Sequence, residues 1–242
     1  MRPAARRAGR RRGGSAAGAA SRGAGRPSPP AAAAAPARRP RASAPRDAPP
    51  ASATETASRC DDQPDPEGCL RALADGDGLV AEAALYRLGR RRARAGDHPA
   101  ALDAWLEHSR RFPRGVLAQE IHLAILDAQL ATGSPQALAT ADRFLTDHPA
   151  STQRGEVHAV GATLRHRAGD CASALTHYDA AIATRLAARR REEALYGRAS
   201  CLDTLGRREE ATAAYRLYLE AHPEGRFAAR ARARVERDVV LP

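Results

Sequence analysis

The sequence predicts an all-α solenoid of about four helix hairpins, and three observations carry that prediction. Gly96, Gly133, Gly169 and Gly206 recur at spacings of 37, 36 and 37 residues. Each lies between two segments whose apolar residues follow a helical period. A small residue comes after each glycine within a turn or so, at Ala101, Ala137, Ala174 and Ala211, where two helices have to cross closely. A unit this short cannot bury its apolar face alone, so a fixed period of roughly 20 to 50 residues marks a stack of identical supersecondary units.

The chain divides into three regions. Residues 1–57 carry 12 of the 39 basic residues, only Asp47 and Glu55 as acids, and almost no large apolar side chain beyond Met1. Such a segment buries too little surface to offset its ordering entropy and is predicted to be a disordered Arg/Ala/Pro-rich tail. The formal charge of +11 then divides into +10 on the tail and +1 on the rest, where 27 arginines face 26 acids. Nucleic acid or an anionic surface is therefore a possible partner of the tail, not of a folded face, and binding of that kind falls steeply with salt. Residues 58–78, interrupted by Pro64, Pro66, Gly76 and Gly78, read as a linker. Residues 79–242 read as the solenoid domain. Lysine is absent, and the dominance of Ala and Arg is that of a GC-rich bacterial genome.

In the first hairpin, Leu79, Ala83 and Tyr86 lie on one helical stripe and Ala81, Leu85 and Leu88 on another, a helix with two packed faces. Gly96 ends it, because glycine adopts a left-handed conformation at a helix C-terminus without a side-chain clash. Asp97 is an N-cap for the second helix, with Pro99 in its first turn, and Pro113 closes the unit. The second hairpin repeats the plan through Ile121, Ile125, Gly133, Ala141, Phe144 and Pro149, one residue short between glycine and proline. The third runs through Val157, Val160, Gly169, Ala174 and Tyr178; Leu186 stands where its closing proline is due, and its second helix is expected to run on through Arg189–Arg191. The fourth contains Leu195, Ala199, Gly206, Ala211, Tyr215 and Pro223. Phe227, Ala231 and Val235 then fall at i, i+4 and i+8 among arginines, as a capping helix that shows water a polar face.

These residues resemble the tetratricopeptide repeat. Leu85, Leu88-Gly89, Gly96, Ala101, Trp105 and Pro113 fit its pattern in the first copy, and Leu195, Ala199, Gly206, Ala211, Tyr215 and Pro223 in the fourth. The resemblance spans about residues 79–224 and implies a right-handed solenoid. It further resembles repeats of bacterial cell-envelope proteins and the repeat segments of myxobacterial FecR-like anti-sigma regulators, through Phe144-Leu145-Thr146-Asp147-His148-Pro149 and Tyr218-Leu219-Glu220-Ala221-His222-Pro223. As written, with no apolar signal segment behind its first arginines, the chain is expected in the cytoplasm; a misassigned start would place it in the envelope or periplasm.

Catalytic, cofactor and metal sites are not expected. The sequence holds no P-loop, no G-x-G-x-x-G and no G-x-S-x-G. Asp75-Gly76-Asp77-Gly78 is a turn, because the later ligands of a calcium loop are missing. The histidines are scattered, and His98, His148 and His222 precede prolines in a local backbone role. Cys60, Cys69, Cys171 and Cys201 form no CxxC pair; they are expected as packed thiols, with Cys60–Cys69 and Cys171–Cys201 the pairings open to them.

The resemblance implies a scaffold that holds a protein or peptide in a concave groove lined by the first helices. Carried over by position, the lining is Tyr86, Arg90, Glu120, Leu123, Asp127, Glu156, His166, Glu193, Tyr196, Ser200 and Asp203. Most of these are acidic or polar, which favours a partner of basic or mixed charge. The basic tail itself is one such partner in principle.

Overall fold

The computed structural model describes residues 52–240, with side chains described through Arg237. The predicted tail lies almost wholly outside the described residues. The remainder is α-helical: α1 (Ala53–Ser58), α2 (Pro66–Ala74), α3 (Gly78–Arg94), α4 (His98–Arg111), α5 (Ala118–Ala131), α6 (Ala137–Asp147), α7 (Arg154–Arg167), α8 (Cys171–Ile182), α9 (Ala188–Thr204), α10 (Arg208–Ala221) and α11 (Ala228–Val240). Helices α3/α4, α5/α6, α7/α8 and α9/α10 are the four predicted hairpins, stacked as a right-handed solenoid. All the main contacts join elements adjacent or next but one in the chain, such as α7 with α8 and with α9. That quasi-one-dimensional pattern is produced by the stacking of units. Among the described residues no helix is long and apolar enough to cross a membrane.

The four turn glycines adopt φ between 65° and 83°. A Cβ on any of them would meet nothing within 4 Å, so torsion and not space demands glycine there. Gly89 is the opposite case: a Cβ would lie 2.2 Å from Trp105 Nε1, so its helix can approach α4 only without a side chain. Trp105 Nε1 in turn donates to the Tyr86 carbonyl at 3.3 Å. Asp97 and Asp170 cap α4 and α8 by accepting from Ala100 N and Ser173 N, both at 3.0 Å. Ala101, Ala137, Ala174 and Ala211 are all buried at the crossings. Helix α11 closes the stack, with Ala231 buried and Phe227 and Val235 packed on the last apolar cluster.

Three expectations need correction. Residues 58–78 do not form a plain linker: α1, a 3-10 turn over Arg59–Asp62, and α2 occupy most of the region from residue 53 onward. Ala57, Cys60, Leu70 and Ala74 are buried in one cluster with Leu85 and Leu88 of α3. The physical reason is that Pro66 starts a helix instead of breaking one, behind an Asp65 side chain that accepts from Gly68 N at 2.9 Å. The second correction is that the cysteines are paired, Cys60 with Cys69 and Cys171 with Cys201, with Cα separations of 5.5 and 4.9 Å. The third is that α8 ends at Ile182 without running on. Leu186 turns inward as a buried plug between helices, Ala187 lies outside α9, and Arg189–Arg191 open α9.

The joints between repeats carry no obvious mark in the sequence. Glu82 of α3 is 2 % exposed, and its Oε1 accepts from the backbone N of Leu117, which precedes α5, at 2.6 Å. His108 Nε2 lies 3.3 Å from the same oxygen. Burial holds the His108 ring below its ordinary pKa, with Glu82 pulling the other way. In the fourth hairpin Glu192 takes the same place: its Oε1 accepts from Arg226 N at 2.7 Å and from the Tyr218 hydroxyl at 2.9 Å. Gly115 and Gly225 leave room for these carboxylates, since a Cβ on either would stand 2.3 and 2.5 Å from the glutamate oxygen. Glu156 of α7 does related work, accepting from Ala187 N at 2.9 Å. A carboxylate from one repeat thus satisfies a free amide at the start of the next repeat's first helix, where negative charge is favoured.

A groove along the first helices

The predicted lining residues separate into two hollows and a remainder. Tyr86, Arg90, Glu120, Leu123 and Asp127 all border one cavity of about 580 Å³ between α3 and α5, with Trp105 at its base. Arg90 stands over the Tyr86 ring, 5.6 Å from its centroid. Asp127 opens into this hollow, and the surrounding protein raises its carboxyl pKa, an effect partly offset by Arg190. His166, Glu193 and Tyr196 border a second cavity of about 410 Å³ between α7 and α9, walled also by Leu130, Val160 and Leu164. Burial lowers the pKa of His166 and raises that of Tyr178 beside it.

Three predicted residues play other parts. Glu156 belongs to the joint with α9 and pairs with Arg190 at 3.3 Å. Ser200 Oγ sits 3.5 Å from His166 Nε2, behind the second hollow. Asp203 pairs with Arg234 at 2.7 Å and borders a separate hollow near the C-terminal end, with Arg208, Arg216 and Arg237.

The charge of the lining differs from the expectation. The first hollow is balanced, with Arg90 and Arg94 against Glu120 and Asp127. The second carries Arg167, Arg189, Arg190 and Arg226 against Glu193 alone. Sequence reasoning misses these arginines because it assigns Arg189 and Arg190 to an extended α8 and Arg226 to the surroundings of the capping helix. The structure brings all three to one carboxylate: Glu193 lies 3.1, 3.6 and 3.3 Å from Arg189, Arg190 and Arg226. Phe227, carried in by the same loop, stacks on Tyr196 with ring centroids 4.3 Å apart and planes 13° apart. Arg226 stands over Phe227, 4.6 Å from its ring centroid. A folding-back of the +10 tail onto an acidic groove loses its electrostatic basis at this end.

The histidines are less scattered than their sequence positions suggest. His122 Nδ1 lies 2.8 Å from His148 Nε2, and His158 Nδ1 lies 3.1 Å from His177 Nδ1. His122 and His158 stand 36 residues apart, one repeat, which is the signal that would have found them. Burial, the His177 ring and the Arg154 and Arg165 charges push His158 down to about 4. His148 therefore has a side-chain partner beyond the backbone role expected of it. Ligand atoms of His166, Cys171 and Cys201 fall within 4.8 Å of one another, but the two sulfurs are bonded to each other and offer no thiolate.

Residues 193–225 match the tetratricopeptide repeat family model. They run from the middle of α9 through α10 to the turn before α11. No curated protein matches the sequence. Among solved structures, a tetratricopeptide repeat protein from Parabacteroides merdae superposes with a TM-score of 0.54 at 20 % identity, over 64 % of this chain and 59 % of that one. The match therefore spans less than two thirds of that protein. The MamA protein superposes with a TM-score of 0.50 at 16 % identity, over 71 % of this chain and 88 % of that one. At these identities the likeness is one of fold.

Proposed function

From a chain with a tetratricopeptide repeat at residues 193–225 and the fold of tetratricopeptide repeat proteins, we propose a non-enzymatic scaffold that binds a segment of another protein along the groove of α3, α5, α7 and α9. The observation that carries this reading is the pair of hollows on that face, each combining exposed charge with half-buried aromatic or aliphatic side chains. Amphipathic rings and arginines at a concave surface supply contact area together with directional donors. The packed helix crossings give the groove a fixed shape, so little ordering is needed on binding. Binding of a segment of the native partner to the full chain should fall when Leu123→Asp or Tyr196→Ala changes either hollow, while helicity by circular dichroism stays the same. Unaltered binding in both variants rules the groove out.

A second reading, an accessory protein of the bacterial envelope, is favoured by the two cysteine pairs, because disulfides persist in oxidising compartments. Thiol labelling of the protein as isolated from its native cells, without reductant, tests it. Blocked cysteines support an oxidising compartment, and four reactive thiols count against it.

A further inference from the structure

We propose that the hollow between α7 and α9 recognises an acidic stretch of the partner that carries an aromatic or aliphatic side chain, an inference that rests on the groove being the binding surface. Two independent features of this hollow converge. The first is charge in excess of its internal partners. Arg189, Arg190 and Arg226 share the single carboxylate of Glu193, and Arg190 has Glu156 besides. Arg167 lines the same hollow and forms no ion pair among the described residues. Four guanidiniums thus face two paired carboxylates, Glu193 and Glu156, and Asp127 is close enough to Arg190 to feel its charge as a third. Each guanidinium has five N–H donors in a planar fork, so Glu193 leaves most of them available to an incoming carboxylate. The side chains of Arg189 and Arg226 are 81 % and 51 % exposed, so they reach an incoming chain without prior opening.

The second feature is an apolar seat within reach of those charges. Tyr196 and Phe227 form a stacked platform, and Leu130, Val160 and Leu164 line the opposite wall. A purely anionic ligand would leave this platform in water, whereas an apolar side chain beside an acid uses both. The α3/α5 hollow differs: its two arginines are matched by two acids, so it offers apolar contact without a charge preference. The acidic element of the partner is therefore placed at the C-terminal half of the groove. Binding there should weaken with ionic strength, because the guanidiniums are solvent-exposed.

The test is selection of a random linear peptide library on the full-length chain, followed by affinity measurement of the enriched peptides. Expected is enrichment of Asp and Glu next to aromatic or aliphatic residues, with affinity about tenfold weaker for glutamine-substituted peptides. Arg189→Glu with Arg226→Glu should abolish that enrichment while leaving helicity unchanged, since both side chains are exposed; Phe227→Ala should weaken binding of the same peptides. Enrichment of basic or uncharged peptides that Leu123→Asp or Tyr196→Ala releases overturns the acidic-partner inference and leaves the groove reading standing. Peptides indifferent to every groove substitution overturn both. A library that yields no enriched peptide overturns the acidic-partner inference as well.

Discussion

The first and fourth hairpins are joined to their C-terminal neighbours by the same device, and the middle two are not. Glu82 with His108 and Gly115, and Glu192 with Tyr218 and Gly225, each place a carboxylate on a backbone amide ahead of the next unit, with a ring beneath it and a glycine making room. In the second hairpin Glu120, near the corresponding place, faces the groove, and His122 pairs with His148 instead. The third keeps a glutamate, Glu156, but replaces the closing proline by the buried Leu186 and adds the His158–His177 pair and a disulfide. Repeats that match the family pattern best thus combine the carboxylate with a ring and a glycine at the joint, whereas the second repeat lacks that carboxylate and the third keeps it but adds residues particular to this chain. Departure from the pattern lies where the groove acquires its own chemistry, next to the α7/α9 hollow.

That contrast can be broken most severely at the helix crossings, which all four hairpins share. Ala211→Trp should unfold α9–α11, because overpacking a close crossing destabilises by about 1–3 kcal/mol or more. Circular dichroism melts would show an early transition, and a melting profile like that of the parent would contradict close packing at Ala211. The disulfide of the third hairpin is of comparable size. A link closing about 30 residues contributes on the order of 3–4 kcal/mol in the loop-entropy model, so Cys171→Ser with Cys201→Ser should lower the denaturation midpoint clearly. The shorter Cys60–Cys69 loop should matter less. Replacing Glu192 by Ala would leave Arg226 N and the Tyr218 hydroxyl without their acceptor, a loss of about 1–3 kcal/mol. Glu120→Ala, without such a joint, should change stability by less than about 0.5 kcal/mol. Equal effects would erase the distinction between regular and irregular repeats.

The smallest expected effect concerns pH. His158, lowered to about 4 by burial, the His177 ring and the Arg154 and Arg165 charges against Asp142, binds its proton less readily folded than unfolded. The unfolded chain therefore takes up more protons between the ordinary histidine value near 6.5 and about 4, and stability falls as pH drops through that window. His177 and His122 are lowered as well and add in the same direction. The groups are half-exposed, so the shift in melting temperature should be about a few degrees. His158→Gln should flatten the slope, and an unchanged slope would remove the pair from the acid response.

The hairpins are legible in the sequence because glycine at a positive φ and alanine at a crossing are local requirements that recur with the period. The capping helix is legible for the same reason, through Phe227, Ala231 and Val235. The N-terminal cap is not, because Pro64, Pro66 and Gly68 look like breakers until Asp65 and Pro66 are recognised as a helix start. Charge in the groove escapes for a different reason. Position within a repeat picks out Tyr86, Arg90, Glu120, Leu123, Asp127, His166, Glu193 and Tyr196, which border the two hollows. It does not show what loops bring in, so Arg226 and Phe227 read as part of the cap alone. Nor does it separate an acid that faces the groove from one that serves a joint: Glu156 and Glu193 look alike in sequence and do different work. The glutamates of the joints, Glu82, Glu156 and Glu192, stand about one or two periods apart, a recurrence that becomes meaningful once each is seen to reach the next repeat.

The most direct measurement of whether the groove is the working surface is site-specific photocrosslinking in the native cells, with a photoreactive residue at Leu123 or Tyr196 in the groove and at the exposed Leu217 of α10 for comparison. The same partner crosslinked from Leu123 and Tyr196, and not from Leu217, is the expected result. A partner captured from Leu217 while both groove positions stay silent would contradict it.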